Sequence, residues 1–140
     1  MNLGYAADLS PGEAWQMLAT DPTAKLVDVR TAPEWAFVGG PDLAGLNKPV
    51  LRLSWQYWPD MAVNDGFIEA LDKAGFGRAQ PVLLLCRTGK RSIEAARALT
   101  EAGYGACYNI RDGFEGPPDQ AQQRGRVAGW KAEGLPWTQG

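Results

Sequence analysis

Two cysteines are the side chains of this sequence best suited to covalent chemistry, because the sequence contains no histidine. The absence of histidine excludes Ser-His-Asp catalysis, Cys-His catalysis and histidine metal sites. Cys86 and Cys107 do not form a Cys-x-x-Cys pair, and two cysteines alone do not make a structural zinc site, so we expect no metal. A cysteine nucleophile in this sequence must therefore be activated by its surroundings without a histidine base.

Cys86 begins a polar loop that carries three positive charges within six residues. The loop consists of Cys86, Arg87, Thr88, Gly89, Lys90 and Arg91, and Ser92 follows it. It lies between an apolar run at 82–85 and a helix predicted to begin near Ser92, and the free N–H groups of a helix N-terminus bind anions. The same positive charge favours thiolate over thiol, and Gly89 lets the backbone curve around a ligand. The pattern indicates a nucleophilic cysteine in a cradle for a small anion.

The other residues of the loop have structural as well as chemical interpretations. We expect Arg87 and Lys90 to contact a bound anion, and Arg91 both to lend charge and to anchor the loop. For Ser92, a helix N-cap or first-turn role is as consistent with the sequence as a catalytic one. Cys107 lies in an apolar strand pattern and is expected to be a small core residue, and we expect no disulfide between the two cysteines.

Helices and strands alternate around this loop. Ser10-Pro11-Gly12-Glu13 is typical of a capping box and predicts a helix that ends at Asp21-Pro22. Strands are predicted at 24–29, 50–53, 81–85 and 106–110, and helices at 33–37, 66–75, 92–103 and 127–131, with a turn at 39–42. This order predicts an α/β fold with a largely parallel central sheet and helices on both faces. Ligands of such sheets bind beyond the carboxyl ends of the strands, where Cys86 lies.

The loop resembles the active-site loop of the rhodaneses, the thiosulfate sulfurtransferases, in its pattern Cys-Arg-x-Gly-x-Arg after an apolar strand. Further segments resemble rhodanese motifs from about Ser10 to Trp137: Asp28-Val29-Arg30, Glu34-Trp35, Gly103-Tyr104, Gly113-Phe114, Gly129-Trp130 and Gly134-Leu135-Pro136-Trp137. The sequence departs from the family at 39–45, where many rhodaneses have Gly-His-Ile-x-Gly-Ala. An aromatic stretch at 55–58 follows, and we expect Trp55, Tyr57 and Trp58 to pack rather than to rim a pocket or form a partner surface.

The resemblance implies a single rhodanese-like domain over residues 1–140 and a sulfurtransferase activity. A sulfane sulfur would pass from thiosulfate or another persulfide donor to Cys86, and from the Cys86 persulfide to a thiol or protein-cysteine acceptor, with no other cofactor. The residues from Arg87 to Ser92 would bind the substrate, while Asp28 and Arg30 would brace the site.

Two alternatives stay open at this stage. One is a cysteine phosphatase of related fold, although phosphatase loops have the spacing Cys-x₅-Arg and this loop has Cys-x₄-Arg. The other is a rhodanese-like module that relays sulfur or binds partners.

Composition limits the partners and the compartment. The chain of 140 residues has 45% apolar and 21% charged residues, as expected of one soluble globular domain. A net charge of −2 predicts no general attraction to nucleic acid or anionic membranes, and no apolar run reaches the ~20 residues of a membrane span. Residues 1–10 lack a basic region followed by an apolar stretch, so we expect no secretory signal and a cytoplasmic location. The sequence leaves open the physiological donor and acceptor, the pathway and the oligomeric state.

Overall fold

The computed structural model describes residues 3–139, and within them a five-stranded parallel sheet forms the centre of the fold. Residues 1, 2 and 140, at the ends of the predicted domain 1–140, lie outside the described residues. In chain order the elements are β1 (Ala7–Leu9), α1 (Pro11–Thr20), β2 (Lys25–Asp28), α2 (Ala32–Phe37), β3 (Gly40–Pro41), a 3₁₀ turn (Ala44–Leu46), β4 (Val50–Arg52), β5 (Gln56–Tyr57), β6 (Ala62–Val63), α3 (Phe67–Lys73), β7 (Val82–Leu85), α4 (Arg91–Glu101), β8 (Cys107–Ile110) and β9 (Trp137–Thr138). Among these elements, no helix has the length and apolar character needed to cross a membrane.

The sheet has the strand order β1-β8-β7-β2-β4, and all of its pairings are parallel. Its centre is β7, whose four residues are all fully buried, as expected of a parallel strand covered on both faces. Val82 and Leu84 face a cluster that contains α3 and α4, while Leu83 and Leu85 face α1 and the buried Trp130. The predicted α/β class, with helices on both faces of a parallel sheet, is confirmed.

The predicted helix at Ser10 forms as the local chemistry dictates. The Ser10 side chain accepts a hydrogen bond from the Glu13 N–H at 3.1 Å, and the Glu13 carboxylate accepts one from the Ser10 N–H at 2.8 Å. Pro11 occupies the first turn, where its missing N–H costs no hydrogen bond. The helix that follows Cys86 begins one residue earlier than predicted, at Arg91.

Two local predictions are wrong because distant backbone segments take the hydrogen bonds. The predicted helix at 127–131 is a series of turns, in which the Trp130 N–H donates to Gly113 O and the Lys131 N–H to Phe114 O. The predicted turn at 39–42 contains β3, which pairs antiparallel with β9 near the other end of the chain. The sequence also gave no sign of β1 or of the β5–β6 hairpin.

Candidate active site

Cys86 lies directly after the central strand β7, at the carboxyl edge of the sheet. Its side chain is almost fully buried, with 1% of the residue exposed. The Gly89 N–H donates a hydrogen bond to Cys86 Sγ at 3.1 Å, so the loop turns back over the sulfur before α4 begins at Arg91. One backbone N–H of the loop is therefore directed at the sulfur atom, and the binding of an anion there stays a prediction.

The segment after β8 supports the loop from behind. The Phe114 N–H donates to Cys86 O at 2.8 Å, and the Glu115 N–H donates to Arg87 O at 3.0 Å. Gly113 approaches so closely that a Cβ at this position would lie 2.3 Å from Cys86 O. These contacts fix the carbonyl groups at the start of the loop, so the position of Cys86 depends on a segment that lies 27 residues further along the chain.

Arg91 is anchored by an ion pair that the sequence did not reveal. Its guanidinium makes two hydrogen bonds to the Glu34 carboxylate, at 2.7 and 2.9 Å, and each side chain is less than one-fifth exposed. Burial raises the pKa of Glu34. The positive charge and hydrogen bonds of Arg91, together with the hydrogen bonds of Thr31, outweigh the effect of burial and leave the pKa below its ordinary value. Burial likewise lowers the pKa of Arg91, and the pairing with Glu34 reverses this and raises it. The pair connects α2 to the start of α4 and keeps a positive charge beside Cys86.

Asp28, the last residue of β2, and Arg30 form a fully buried ion pair. Arg30 Nε donates to Asp28 Oδ1 at 2.9 Å, and Arg30 Nη2 donates to Asp28 Oδ2 and to Gly39 O, both at 2.7 Å. The Arg30 guanidinium also stacks on the Phe114 ring, with 4.5 Å between the guanidinium carbon and the ring centroid. Through Phe114 the pair contacts the segment that supports the Cys86 loop, and its bracing role stays a prediction.

Ser92 points its hydroxyl into the protein, in the first turn of α4. Ser92 Oγ lies 3.3 Å from Cys86 Sγ and 2.5 Å from Asn109 Oδ1. Asn109 Nδ2 donates to Asp8 Oδ1 at 2.9 Å, which connects the site to the edge strand β1. The sequence reasoning missed Asn109 and Asp8, and the available signal was a polar residue at a buried position of the apolar strand β8.

Two pockets open beside the loop and share Arg87 as a common wall. One, of about 310 Å³, is lined by Thr31, Pro33, Glu34, Trp58, Met61, Arg87 and Arg91. The other, of about 400 Å³, is lined by Arg87, Thr88, Lys90, Asp112, Pro117, Pro118 and Arg124. Arg87 and Lys90 are exposed, so their charges face solvent where an anion would approach.

The aromatic stretch at 55–58 divides between the core and the pocket. Trp55 packs edge-on against Phe67, with ring centroids 5.2 Å apart, as expected. Tyr57 and Trp58 are 50% and 64% exposed, and Trp58 lines the first pocket, so the packing prediction is wrong for these two residues. The hairpin places Trp58 at this pocket and Tyr57 on the surface beside it, instead of in the core.

Cys107 is a core residue, as the sequence indicated. It is fully buried on the face of the sheet that packs against α4, and both cysteines are free thiols. Burial raises the pKa of the Cys107 thiol to about 11, which keeps it protonated and unreactive.

Comparisons with known proteins agree with the fold. The family model described as "STR4 middle domain" matches residues 7–140. The crystal structure of Rv0390 from M. tuberculosis is 47% identical, with a TM-score of 0.88, and the match covers 97% of this chain and 99% of that one. The uncharacterized protein RC0915 from Rickettsia conorii is 42% identical over 89% of this chain and 91% of its own length.

Two further structures extend the comparison. The polysulfide-sulfur transferase homodimer from Wolinella succinogenes is 26% identical, with a TM-score of 0.66, over 98% of this chain and 80% of that one. A rhodanese-like domain protein from Staphylococcus aureus is 20% identical, with a TM-score of 0.60, over 94% of this chain and 97% of that one, and it shares the fold.

Proposed function

This chain belongs to the STR4 middle domain family and has a rhodanese-like fold, and from this premise we propose that it is a sulfurtransferase that carries a sulfane sulfur on Cys86. The observation that carries the proposal is the Cys86 sulfur at the base of a cationic loop, with the Gly89 N–H directed at it at 3.1 Å. A similar protein named as a polysulfide-sulfur transferase supports the same class of reaction.

The proposed reaction has two steps and needs no histidine base. In the first step, the Cys86 thiolate attacks the outer sulfur of thiosulfate and an S–S bond forms. The bond between the two thiosulfate sulfurs breaks, and its electron pair leaves with sulfite. In the second step, the thiolate of an acceptor attacks the outer sulfur of the persulfide, and Cys86 leaves as a thiolate. The persulfide is the only carrier that the cycle requires.

The charges around the site fit a small anionic donor. Arg87 and Lys90 are exposed at the pocket mouths, where they would attract the dianion and stabilise the departing sulfite. Arg91 would contribute a fixed charge, because Glu34 holds its guanidinium in one place. Thr88 and Gly89 would supply the backbone of the cradle, and in the cell a thiol or a protein cysteine would accept the sulfur.

Phosphoryl transfer is the competing reaction of a cysteine in such a loop. The loop from Cys86 to Arg91 has four intervening residues, one fewer than the phosphatase spacing, and a smaller ring fits a sulfur substituent better than a phosphoryl group. We therefore expect turnover of thiosulfate with cyanide and none of an aryl phosphate. A protein that hydrolyses the aryl phosphate faster than it transfers sulfur would favour the phosphatase.

The deciding experiment is the intact mass of the protein after incubation with thiosulfate and desalting. We expect an added mass of one sulfur atom, which cyanide then removes. The Cys107→Ser variant should gain the same mass, whereas the Cys86→Ser variant should gain none. A parent protein that gains no sulfur, or a Cys86→Ser variant that still does, would contradict the proposed function.

A further inference from the structure

A chain of hydrogen bonds runs from Cys86 away from the pocket to the edge strand β1. It passes from Cys86 Sγ to Ser92 Oγ at 3.3 Å, and from Ser92 Oγ to Asn109 Oδ1 at 2.5 Å. Asn109 Nδ2 then donates to Asp8 Oδ1 at 2.9 Å, and the Tyr5 hydroxyl donates to the same oxygen at 2.7 Å. Ser92 and Asn109 are almost fully buried, so these bonds are made without water as an alternative partner.

The direction of each hydrogen bond in this series follows from the Asp8 carboxylate at its end. The Asp8 carboxylate only accepts, so the Asn109 amide must turn its NH₂ group towards Asp8 and its oxygen towards Ser92. Asn109 Oδ1 then needs a donor, and Ser92 has a single hydroxyl proton to give. The contact of 2.5 Å assigns that proton to Asn109, which leaves a lone pair of Ser92 Oγ facing Cys86.

We propose that Asn109, oriented by Asp8, is a positioning residue that draws the Ser92 proton away from Cys86 and so favours the protonated form of the resting cysteine. With this arrangement a Cys86 thiol donates its proton to Ser92 Oγ, and Ser92, Asn109 and Asp8 each keep a hydrogen-bond partner. A Cys86 thiolate can gain the Ser92 proton only if Asn109 Oδ1 loses it, and an unsatisfied buried oxygen is unfavourable.

The consequence concerns both steps of the proposed function, on which this inference rests. A less stabilised thiolate is a stronger nucleophile for the donor but a poorer leaving group from the persulfide. Asn109 therefore opposes the loop charges: it lowers the fraction of Cys86 that is ionised but makes the ionised form more nucleophilic. Removing its influence should slow attack on the donor only at a pH where Cys86 is fully ionised, and should speed release of the sulfur to the acceptor.

Charged groups from several elements surround Cys86, and the proposal must be separated from their effects. They are Arg87 and Lys90 in the loop, Arg91 on α4 with Glu34 on α2, Asp28 at the end of β2 with Arg30 just after it, Asp112 after β8, and Asp8 on β1. The substitution Asn109→Leu changes none of these charges, and the leucine side chain is close in size to that of Asn109. It removes the acceptor for the Ser92 proton, while Asp8 keeps its hydrogen bond from Tyr5.

The test is the pH dependence of Cys86 alkylation by iodoacetamide in the Cys107→Ser background. We expect Asn109→Leu to lower the pH of half-maximal rate by about one unit, which is about 1.4 kcal/mol. The same substitution should have no effect in a Ser92→Ala background, because no hydroxyl proton is left to redirect. An unchanged or raised midpoint in Asn109→Leu, or an equal shift with and without Ser92, would overturn the proposal.

Asp8→Asn provides a second variant if Asn109→Leu does not fold. It frees the Asn109 amide to turn and donate to Ser92 Oγ, so the midpoint should again fall. Removing the negative charge of Asp8 also lowers the pH midpoint, and this electrostatic contribution to the shift persists in a Ser92→Ala background. The contribution that comes from the changed hydrogen bond does not persist there. A shift in Asp8→Asn that is identical in both backgrounds would overturn the proposal. Alkylation does not require sulfur transfer, so a protein that forms no persulfide would contradict the proposed function without affecting this measurement.

Discussion

Replacing Gly113 with alanine should displace the Cys86 loop without removing any side chain of the site. The added Cβ would lie 2.3 Å from Cys86 O and 2.7 Å from the carbonyl carbon and oxygen of Arg87. Ordinary contacts between carbon and oxygen are about 3.3–3.6 Å, so the start of the loop must move by about 1 Å. A misplacement of that size in a preorganised site costs about 10²-fold in rate. We therefore expect kcat/KM for thiosulfate and cyanide to fall about 100-fold.

Gly75→Ala is the matched control for this substitution. Gly113 and Gly75 both have positive φ, at 60° and 89°, so alanine suffers a similar backbone penalty of about 1–2 kcal/mol at each position. At Gly75, just after α3, nothing lies within 4 Å of the added Cβ. The control should lose stability in urea unfolding but keep the activity of the parent. A folded Gly113→Ala variant with parental kcat/KM would refute the view that this segment positions the loop.

Three further predictions concern the charges and the second cysteine. Arg87→Ala and Lys90→Ala should each lower kcat/KM for thiosulfate about tenfold, because a hydrogen bond to a charged group contributes ~1.5–3 kcal/mol. Both substitutions should affect a monoanionic persulfide donor less. Equal losses of kcat/KM with the two donors would argue against an anion cradle. Glu34→Gln should lower the free energy of unfolding by about 2 kcal/mol at neutral pH through the loss of the Arg91 pair. Folding lowers the pKa of Glu34, so the stability that its carboxylate contributes is present above the ordinary pKa of 4.5 and is lost as the pH falls through the lower folded value. The urea midpoints of the parent and the variant should therefore converge in acid. A difference that stays constant with pH would contradict this. Cys107 should resist iodoacetamide in the folded protein at about pH 8.5, the ordinary pKa of a thiol, because burial raises the pKa of Cys107 to about 11. Mass spectrometry measures the rate of labelling. If the folded protein is labelled at Cys107 as fast as the protein unfolded in urea, the thiol is accessible and the prediction is wrong.

The sequence by itself determined the fold class and the choice of Cys86 as the proposed nucleophile. Both depend on short-range patterns: the apolar run at 82–85, the cationic loop after it, and the capping box that begins at Ser10. These patterns work because strand burial, helix capping and loop charge depend on residues within a few positions of one another. The same short range explains why the helix predicted at 127–131 is wrong, since there the backbone hydrogen bonds go to a segment around Gly113.

Only the tertiary structure decided which groups surround the cysteine. Arg91 contacts Glu34, which lies 57 residues away in the sequence, and Asn109 contacts Asp8, which lies 101 residues away. Asp8 lies on β1, a strand too short to be recognised from its sequence. No local pattern encodes such contacts, because they arise when a parallel sheet brings the ends of strands from distant parts of the chain to one edge. The sequence supplied the cysteine and its charges, and the order of strands in the sheet decided which partners hold that cysteine in place.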